Sequence, residues 1–450
     1  MGLAAGAATM VVVARAVPPS VAGDFAIVVV LLPLVDVLSS GGLVQVLSRR
    51  LAADGASAGA RPHVTRVLAF RALVGILLWL AWPAVARGLG VPDHLDRFVR
   101  ISSYAWPAQA LDLDWLFVAL GRMDLSARGR ALSALIRLGL VWPAAAHGSD
   151  GAGLPAAVAA SVVAAVGVMW LLALFDGALL AAFRADAAAP SRWIDAREAA
   201  HFLAGDLAVY GFTQADRFVI YALGGAEVTG LYHAAQRLVN PFYSISTVVT
   251  SAMYRRLALS FSEGGTALRR CLTEYFRAML LATVPVGGFT LVFAGDVVRT
   301  VYGPAYAAAA PILAVFGLVI AFGYTNGVLV LPLRPWGRSA AFSRAVSAAG
   351  AVDLLLCVVL VPALGGLGGA LAALGGKVTA TLVGLLEFRR VVTYPWAKAF
   401  ARPLAATAVA TLVAGAILHV IGTWAAMAVF VAVYAAVEQV AGRWRPLRIA

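Results

Sequence analysis

Long apolar stretches constrain this chain more than any other feature of its sequence. About fourteen of them follow one another between Gly, Pro and charged residues, and most approach the roughly 20 residues that a helix needs to cross a membrane. Of the 450 residues, 62% are hydrophobic and 13% are charged, whereas soluble proteins carry roughly a quarter charged residues. Neither a soluble multidomain enzyme nor a disordered chain has this composition. We therefore predict an all-α polytopic membrane protein.

The basic residues indicate how the predicted spans are oriented. With the N-terminus inside, 27 of the 35 Lys and Arg residues fall in inside segments or adjoining helix ends, Arg71 and Arg137 among them, and 5 fall in outside loops. Positive charge collects on the cytoplasmic side, so both termini are predicted there. The net charge of +13 thus reflects membrane topology, and no nucleic-acid partner is expected. The predicted spans cover residues 2–15, 24–48, 64–86, 101–121, 130–147, 154–182, 198–222, 228–254, 276–296, 307–331, 340–361, 366–387, 402–420 and 423–441.

The sequence contains no motif that indicates catalysis. No connection between spans exceeds roughly 20 residues, which leaves no room for an extramembrane catalytic domain. The Gly-x-Ser-x-Gly, His-Glu-x-x-His and Walker A patterns are absent. The two cysteines, Cys271 and Cys357, predict neither a disulfide framework nor a metal site. We predict that the protein is not an enzyme and that it uses no cofactor and no metal.

Two segments that lie six predicted helices apart form a faint internal repeat. Gly23-Asp24-Phe25-Ala26 opens the second span and is followed by Pro33, and Gly230-Leu231-Tyr232-His233 opens the eighth and is followed by Pro241. Repeats of six helices plus six are typical of transporters.

Three segments resemble one known family. They are Asp24 to Arg50 (DFAIVVVLLPLVDVLSSGGLVQVLSRR), Asp114 to Asp124 (DWLFVALGRMD), and Asp216 to Ala258, which contains Asp-Arg-Phe, a short Gly turn, Gly-Leu-Tyr and Ala-Ala-Gln-Arg. The chain resembles the polysaccharide flippases of the multidrug/oligosaccharidyl-lipid/polysaccharide (MOP) superfamily, in their O-antigen-like or capsular branch.

The resemblance implies a fold and an activity. The expected fold has two pseudo-symmetric six-helix lobes around a central cavity, residues 1–185 and 186–388, and two further helices within 389–450. The expected activity is alternating-access flipping of a polyprenyl-pyrophosphate-linked oligosaccharide, the precursor of a cell-surface polysaccharide such as O-antigen, capsule or exopolysaccharide, across the bacterial plasma (inner) membrane. Its expected partners are that substrate, membrane lipids, and the polymerase and glycosyltransferases of the same pathway.

Charged residues inside the predicted spans are the candidate substrate site. A guanidinium binds pyrophosphate bidentately, and Arg237 lies deep in the eighth span. In the related lipid II flippases, the Arg of an Ala-Asp-Arg sequence at this place lines the cavity, and here Gln236 replaces the Asp. We assign Arg237, Arg217, Gln236 and Asn240 to the cavity. The alternatives are an ion pair between Arg237 and an acid on another helix, and snorkelling of Arg217 to the headgroups.

Acidic residues inside the spans are candidates for cation coupling. Asp36, Asp112 and Asp114 fall near the middle of the second and fourth spans, and Asp206 lies on the seventh, so each could take up H⁺ or Na⁺. The alternative is that these acids are structural and that some of them pair with Arg. Asp353 and Lys377 have matched depths on neighbouring spans, which predicts a structural ion pair.

Two other functions are compatible with part of this pattern. A cation-coupled multidrug antiporter of the same superfamily would share the two lobes, although the Ala-Ala-Gln-Arg and Asp-Trp-Leu-Phe sequences favour a flippase. A membrane-embedded glycan polymerase or glycosyltransferase would need a larger external loop than this chain provides.

Overall fold

The computed structural model describes residues 2–54, 61–146, 153–176, 196–392, 394 and 396–440. All secondary structure in this part of the chain is helical, which confirms the predicted fold class. Short 3-10 segments cover Pro304–Ala309 and Leu331–Leu333. Numbered in chain order, the helices are α1 (Gly2–Ala16), α2 (Pro19–Ser40), α3 (Leu43–Asp54), α4 (Arg61–Gly88), α5 (Asp93–Ser103), α6 (Trp106–Gln109), α7 (Asp114–Ala119), α8 (Met123–Ala146), α9 (Leu154–Leu174), α10 (Ala196–Glu263), α11 (Gly265–Tyr302), α12 (Ala310–Val330), α13 (Ser339–Leu364), α14 (Gly366–Arg389), α15 (Trp396–Ile421) and α16 (Thr423–Val440).

Many of these helices are suited to a membrane. Shorter apolar stretches, Pro403–Leu418 and Thr423–Val437, lie in α15 and α16. Large apolar side chains such as Leu73, Leu77 and Leu80 of α4 are exposed on the protein surface, where lipid would cover them. In the described residues, seven stretches are long and apolar enough to span a bilayer: Pro19–Ser40, His63–Gly88, Leu154–Leu174, Gly265–Tyr302, Pro304–Leu333, Ser339–Leu364 and Gly366–Arg389.

The chain divides into two compact units, Met1–Phe218 and Val219–Ala450. The division falls inside α10. The predicted lobe boundary at residues 185 and 186 lies outside the described residues, as does the predicted end of the sixth span. The lobes 1–185 and 186–388 and the appended segment 389–450 therefore stay a prediction.

Two predicted spans of the first unit are broken in the structure. The span predicted over 24–48 is interrupted between α2 and α3 by Gly41 and Gly42, whose φ angles of 56° and 72° are ones that glycine adopts without a steric penalty. The span predicted over 101–121 consists of the end of α5, then α6, then the whole of α7. As a result, Asp112 lies in the connection between α6 and α7, and Asp114 is the first residue of α7, not a mid-helix residue.

An apolar cluster holds these short helices in place. Leu47 of α3, Leu116 and Phe117 of α7, Leu125 of α8 and Met169 of α9 are buried together. Burial of a large apolar side chain contributes about 1.5–3 kcal/mol, so this cluster fixes α7 against α8. The packing brings the polar start of α7 to one face of α8.

In the second unit, α10 and the C-terminal helices set the framework. Gly225, with φ 80° and ψ −176°, interrupts the helical backbone of α10. Phe293 of α11 packs with Ala410 and Ala414 of α15 and with Ala426 and Phe430 of α16. The last two helices are therefore attached to this unit through α11.

Candidate functional site

Arg71 and Asp36 form an ion pair inside the first unit. The Nη2 atom of Arg71, on α4, donates to Oδ1 of Asp36, on α2, at 2.6 Å. Arg71 is fully buried, whereas half of the Asp36 side chain is exposed. A buried guanidinium is stable only beside a compensating charge. Asp36, predicted as a coupling acid, thus has a structural partner that the sequence did not reveal.

Asp114 is tied to α8 by two residues. Its Oδ1 atom accepts a hydrogen bond from Ser126 Oγ at 2.6 Å. Arg130 donates to the same carboxylate through Nε, at 3.0 and 3.1 Å from the two oxygens, and through Nη2, at 2.6 Å from Oδ2. Such a bidentate pair is among the stronger protein hydrogen-bonding arrangements. Asp114 therefore holds the start of α7 on α8.

Asp112 differs from these two acids. Among the described residues, its carboxylate accepts one hydrogen bond, from the backbone N–H of Asp114 at a long 3.4 Å. Asp36, Asp114 and Arg71 are close enough to act on its charge. Asp112 is thus a carboxylate close to other charges without a direct cationic partner in the described part of the chain.

The first part of α10 is bound to α2 and α3. Gln45 donates through Nε2 to Asp206 Oδ2, and Arg49 pairs with Glu198. The Tyr210 hydroxyl donates to the carbonyl of Val30 at 2.8 Å. The structure therefore places the predicted acid Asp206 in a polar contact between two helices of the first unit, within electrostatic range of Asp36.

Arg217 lies near the end of the first unit and is half-buried. It is seven residues after Tyr210, close to two helical turns, so the two side chains share a face of α10. The charge of Arg217 acts on the Tyr210 hydroxyl. Arg217 belongs to the first unit, whereas the other predicted cavity residues belong to the second.

Arg237 is held by a histidine one turn before it. Arg237 Nε donates to His233 Nε2 at 3.2 Å, which requires a lone pair on that nitrogen and hence a neutral imidazole. His233 is buried and Arg237 is half-buried. The hydroxyl of Tyr302, on α11, donates to the Ala234 carbonyl at 3.0 Å and lies within electrostatic range of Arg237. The sequence predictions did not include this contact, although the i, i+4 spacing of His233 and Arg237 is compatible with it.

The other two predicted cavity residues lie beside Arg237 on α10. Asn240 is three residues after Arg237 and four after Gln236, so it is a neighbour of both on the helix surface. Both are half-buried. Of the four predicted cavity residues, Asn240 thus lies next to both Gln236 and Arg237 on α10.

The predicted pair of Asp353 and Lys377 lies where α13 meets α14. A Cβ atom added to Gly376 would be 3.0 Å from the Cβ of Asp353, so Asp353 lies against the residue that precedes Lys377. The Lys377 carbonyl accepts hydrogen bonds from Asn326 Nδ2 at 3.0 Å and from Thr381 Oγ1 at 2.9 Å. The ion pair itself stays a prediction. In the described residues, no three His, Cys, Asp or Glu side chains are grouped so that they could hold a metal ion.

Comparison with known proteins bears on what these residues do. The family model described as "Polysaccharide biosynthesis protein" matches residues 2–257. No curated protein sequence is a significant match to the chain.

Solved structures share the fold at low sequence identity. The lipid II flippase MurJ, in an inward closed conformation, is 13% identical, with a TM-score of 0.77 over 98% of this chain and 97% of that one. A MATE-family multidrug resistance transporter of the MOP superfamily, in an inward-facing conformation, is 12% identical, with a TM-score of 0.65 over 87% and 95% of the two chains. A MOP superfamily transporter from Pyrococcus furiosus is 13% identical, with a TM-score of 0.54 over 86% and 92%.

Proposed function

Because the chain belongs to the polysaccharide biosynthesis protein family, whose model matches more than half of it, we propose that it flips a polyprenyl-pyrophosphate-linked oligosaccharide from the inner to the outer leaflet. It is a multi-pass membrane protein with the fold of MOP superfamily transporters, and neither its family nor the similar structures indicate an enzyme. The proposal extends to the cargo, a precursor of O-antigen, capsule or exopolysaccharide. It also includes the inner membrane, two cytoplasmic termini, and the polymerase and glycosyltransferases as pathway partners.

The position of Arg237 carries this proposal. Arg237 lies about 18 Å along α10 from the interruption at Gly225, at roughly 1.5 Å per residue. A charge at such a depth costs about 2.5–3.5 kcal/mol on membrane-insertion scales, and intramembrane charges are accordingly functional by default. A guanidinium held by His233 keeps a fixed orientation, and its fork geometry matches the oxygens of a pyrophosphate. Arg237, with Asn240 on the same face, would bind the charged linkage of the lipid-linked glycan.

Asp112 is the coupling acid that we favour among the four acids predicted for this role. Asp36 is paired with Arg71, Asp114 with Arg130, and Asp206 with Gln45. Uptake of a cation by any of those three would have to compete with an existing partner. Among the described residues, no side chain pairs with the Asp112 carboxylate. Asp36, Asp114 and Arg71 lie within electrostatic range of it, so protonation of Asp112 changes the balance of charge at this place.

The decisive experiment is analysis of lipid-linked glycans in cells depleted of this protein. Mass spectrometry of polyprenyl-pyrophosphate glycans would reveal accumulation of one completed glycan, and complementation with the wild-type gene would reverse it. That result supports flipping and identifies the cargo. Absence of accumulation, with depletion verified, would remove the flippase proposal.

The same cells test the two alternatives. A cation-dependent rise in drug tolerance on expression, without any change in lipid-linked glycans, would assign the protein as a multidrug antiporter. Accumulation of unpolymerised glycan on the outer leaflet would instead favour a polymerase, because flipping would then have occurred without this protein.

A further inference from the structure

Four polar residues form a stripe along α8. Ser126, Arg130, Ser133 and Arg137 follow one another at intervals of four, three and four residues, which places them on one face of a helix. At roughly 1.5 Å per residue, the stripe extends about 16 Å. Arg137 lies about 21 Å from the first residue of α8 and about 14 Å from the last, so it is a mid-helix residue.

The two ends of this stripe differ in their hydrogen bonds. Ser126 and Arg130 share the carboxylate of Asp114. At the deeper end, Ser133 Oγ and Arg137 Nε are buried atoms without a hydrogen-bond partner among the described residues. Arg137 also makes no ion pair with a described residue. A buried donor without an acceptor costs about 1–3 kcal/mol, and more when it is charged, so an acceptor is expected at this place.

Exposed apolar side chains of α8 lie both opposite Arg137 and next to it. At roughly 100° per residue, the exposed Leu135 and Trp142 lie about 200° and 140° around the helix from Arg137, and the exposed Leu140 lies about 60° from it. The Arg137 side chain is partly exposed, so a ligand can reach it.

We propose that Ser133 and Arg137 form a binding position for the phosphate oxyanion of a lipid headgroup. The guanidinium offers only donors, and the adjacent hydroxyl offers one more, so an acceptor-rich anion matches the pair and a cation or an apolar group does not. A phosphate accepts several charge-assisted hydrogen bonds at once. The phosphate belongs either to the transported polyprenyl pyrophosphate, in which case this inference rests on the proposed function, or to an anionic phospholipid, in which case it does not.

Native mass spectrometry of the purified full-length protein tests this site. The probes are undecaprenyl pyrophosphate and phosphatidylglycerol, each titrated against the wild type and against Arg137→Gln, Arg137→Lys and Ser133→Ala. The matched control is Arg128→Gln, because Arg128 is exposed and lies nine residues before Arg137, about 180° around the same helix. Circular dichroism and thermal unfolding in detergent establish that each variant is folded.

We expect Arg137→Gln to weaken binding about tenfold or more, the loss typical of a charge-assisted hydrogen bond, and Ser133→Ala to weaken it severalfold. Arg128→Gln should bind like the wild type. Loss confined to the pyrophosphate probe assigns the site to the transported lipid, and equal loss of both probes assigns it to lipid headgroups in general. Wild-type binding of both probes by folded Arg137→Gln, or by folded Ser133→Ala and Arg137→Lys if Arg137→Gln does not fold, overturns the proposal. If the experiment in cells contradicted the flippase proposal, phosphatidylglycerol binding would still test this site, because that measurement does not depend on the proposed function.

Discussion

Arg71 and Asp36 are joined across α4 and α2 by a 2.6 Å contact in which the cation is buried and the anion is half exposed. The exposed fractions of the two side chains are 2% and 51%. The Asp36 carboxylate is therefore accessible from the protein surface, whereas the buried Arg71 guanidinium needs that carboxylate as its counter-charge. This asymmetry predicts that changes at the two residues have different consequences.

Asp36→Asn should destabilise the first unit. The substitution leaves the guanidinium of Arg71 buried without its counter-charge, which we expect to lower the free energy of unfolding by about 1.5–3 kcal/mol. Thermal unfolding in detergent measures the loss. The double variant Asp36→Asn, Arg71→Met removes both charges and should recover part of the stability. A double variant less stable than Asp36→Asn alone would contradict the ion-pair explanation.

Arg237→Ala should lower flipping by about tenfold or more without loss of folded protein, because it removes a charge-assisted contact to the substrate pyrophosphate. Arg237→Lys should restore only part of the activity, since an ammonium lacks the bidentate fork. The measurement is accumulation of lipid-linked glycan in depleted cells that express each variant at equal level. Arg299→Ala, which changes an exposed Arg on α11, is the control and should complement fully. Wild-type complementation by Arg237→Ala would remove Arg237 from the site.

His233→Phe should reduce flipping less than Arg237→Ala does. The imidazole accepts a hydrogen bond from Arg237 and touches no substrate in the proposal, so its loss disorders the guanidinium without removing the charge. We expect the apparent affinity for the substrate lipid to fall and the double variant His233→Phe, Arg237→Ala to be no worse than Arg237→Ala alone. If the losses of the two single variants were additive in the double variant, His233 and Arg237 would act independently, and His233 would have no role in positioning Arg237.

Asp112→Asn should abolish the dependence of flipping on an imposed pH or Na⁺ gradient while leaving the protein folded. Asp112 has a weak backbone hydrogen bond in place of a cationic partner, so its neutralisation breaks little structure. Flipping in proteoliposomes with and without the gradient measures the effect. Asp124→Asn, at an exposed position on α8, serves as the control. Gradient-dependent flipping by Asp112→Asn would exclude this acid as the coupling site.

Gly42→Ala should weaken the contact between α3 and the first part of α10. Gly42 has φ 72°, and an added Cβ would collide with the backbone carbonyl of Ala199. We expect a loss of about 1–3 kcal/mol, measured as thermal unfolding, from this strained conformation alone. Gly205→Ala, on α10 with open space around its added Cβ, should be neutral or slightly stabilising. Equal stability of both variants would show that the close approach is unimportant.

The sequence predicted the helical architecture because hydropathy is a local property. A run of apolar residues between charged turns forms a membrane helix whatever its neighbours are, so most predicted spans match observed helices. The breaks at Gly41–Gly42 and around α6 were missed, since a broken helix is stabilised by contacts with distant segments. The backbone of Gly42, for example, lies close to the backbone carbonyl of Ala199, which is far away in the sequence.

The candidate site was predictable only in part for the same reason. Arg237 was recognisable from its depth and from the Ala-Ala-Gln-Arg sequence, and its contact with His233 follows from helical spacing. Arg71 and Arg137 were counted with the inside segments and adjoining helix ends, because topology rules count charges without locating their partners. The partner of Arg71 lies 35 residues away in the sequence, and no local pattern indicates it.

The charge stripe of α8 also bears on how the chain enters the membrane during synthesis. α8 is not among the seven stretches of the described residues that are apolar enough to span on their own. The acid that neutralises Arg130 is synthesised 16 residues earlier, so α7 and α8 can leave the translocon as one hairpin with that charge already compensated. Arg137 has no such predecessor among the described residues, and we expect insertion of α8 to be completed only when later helices arrive to shield it.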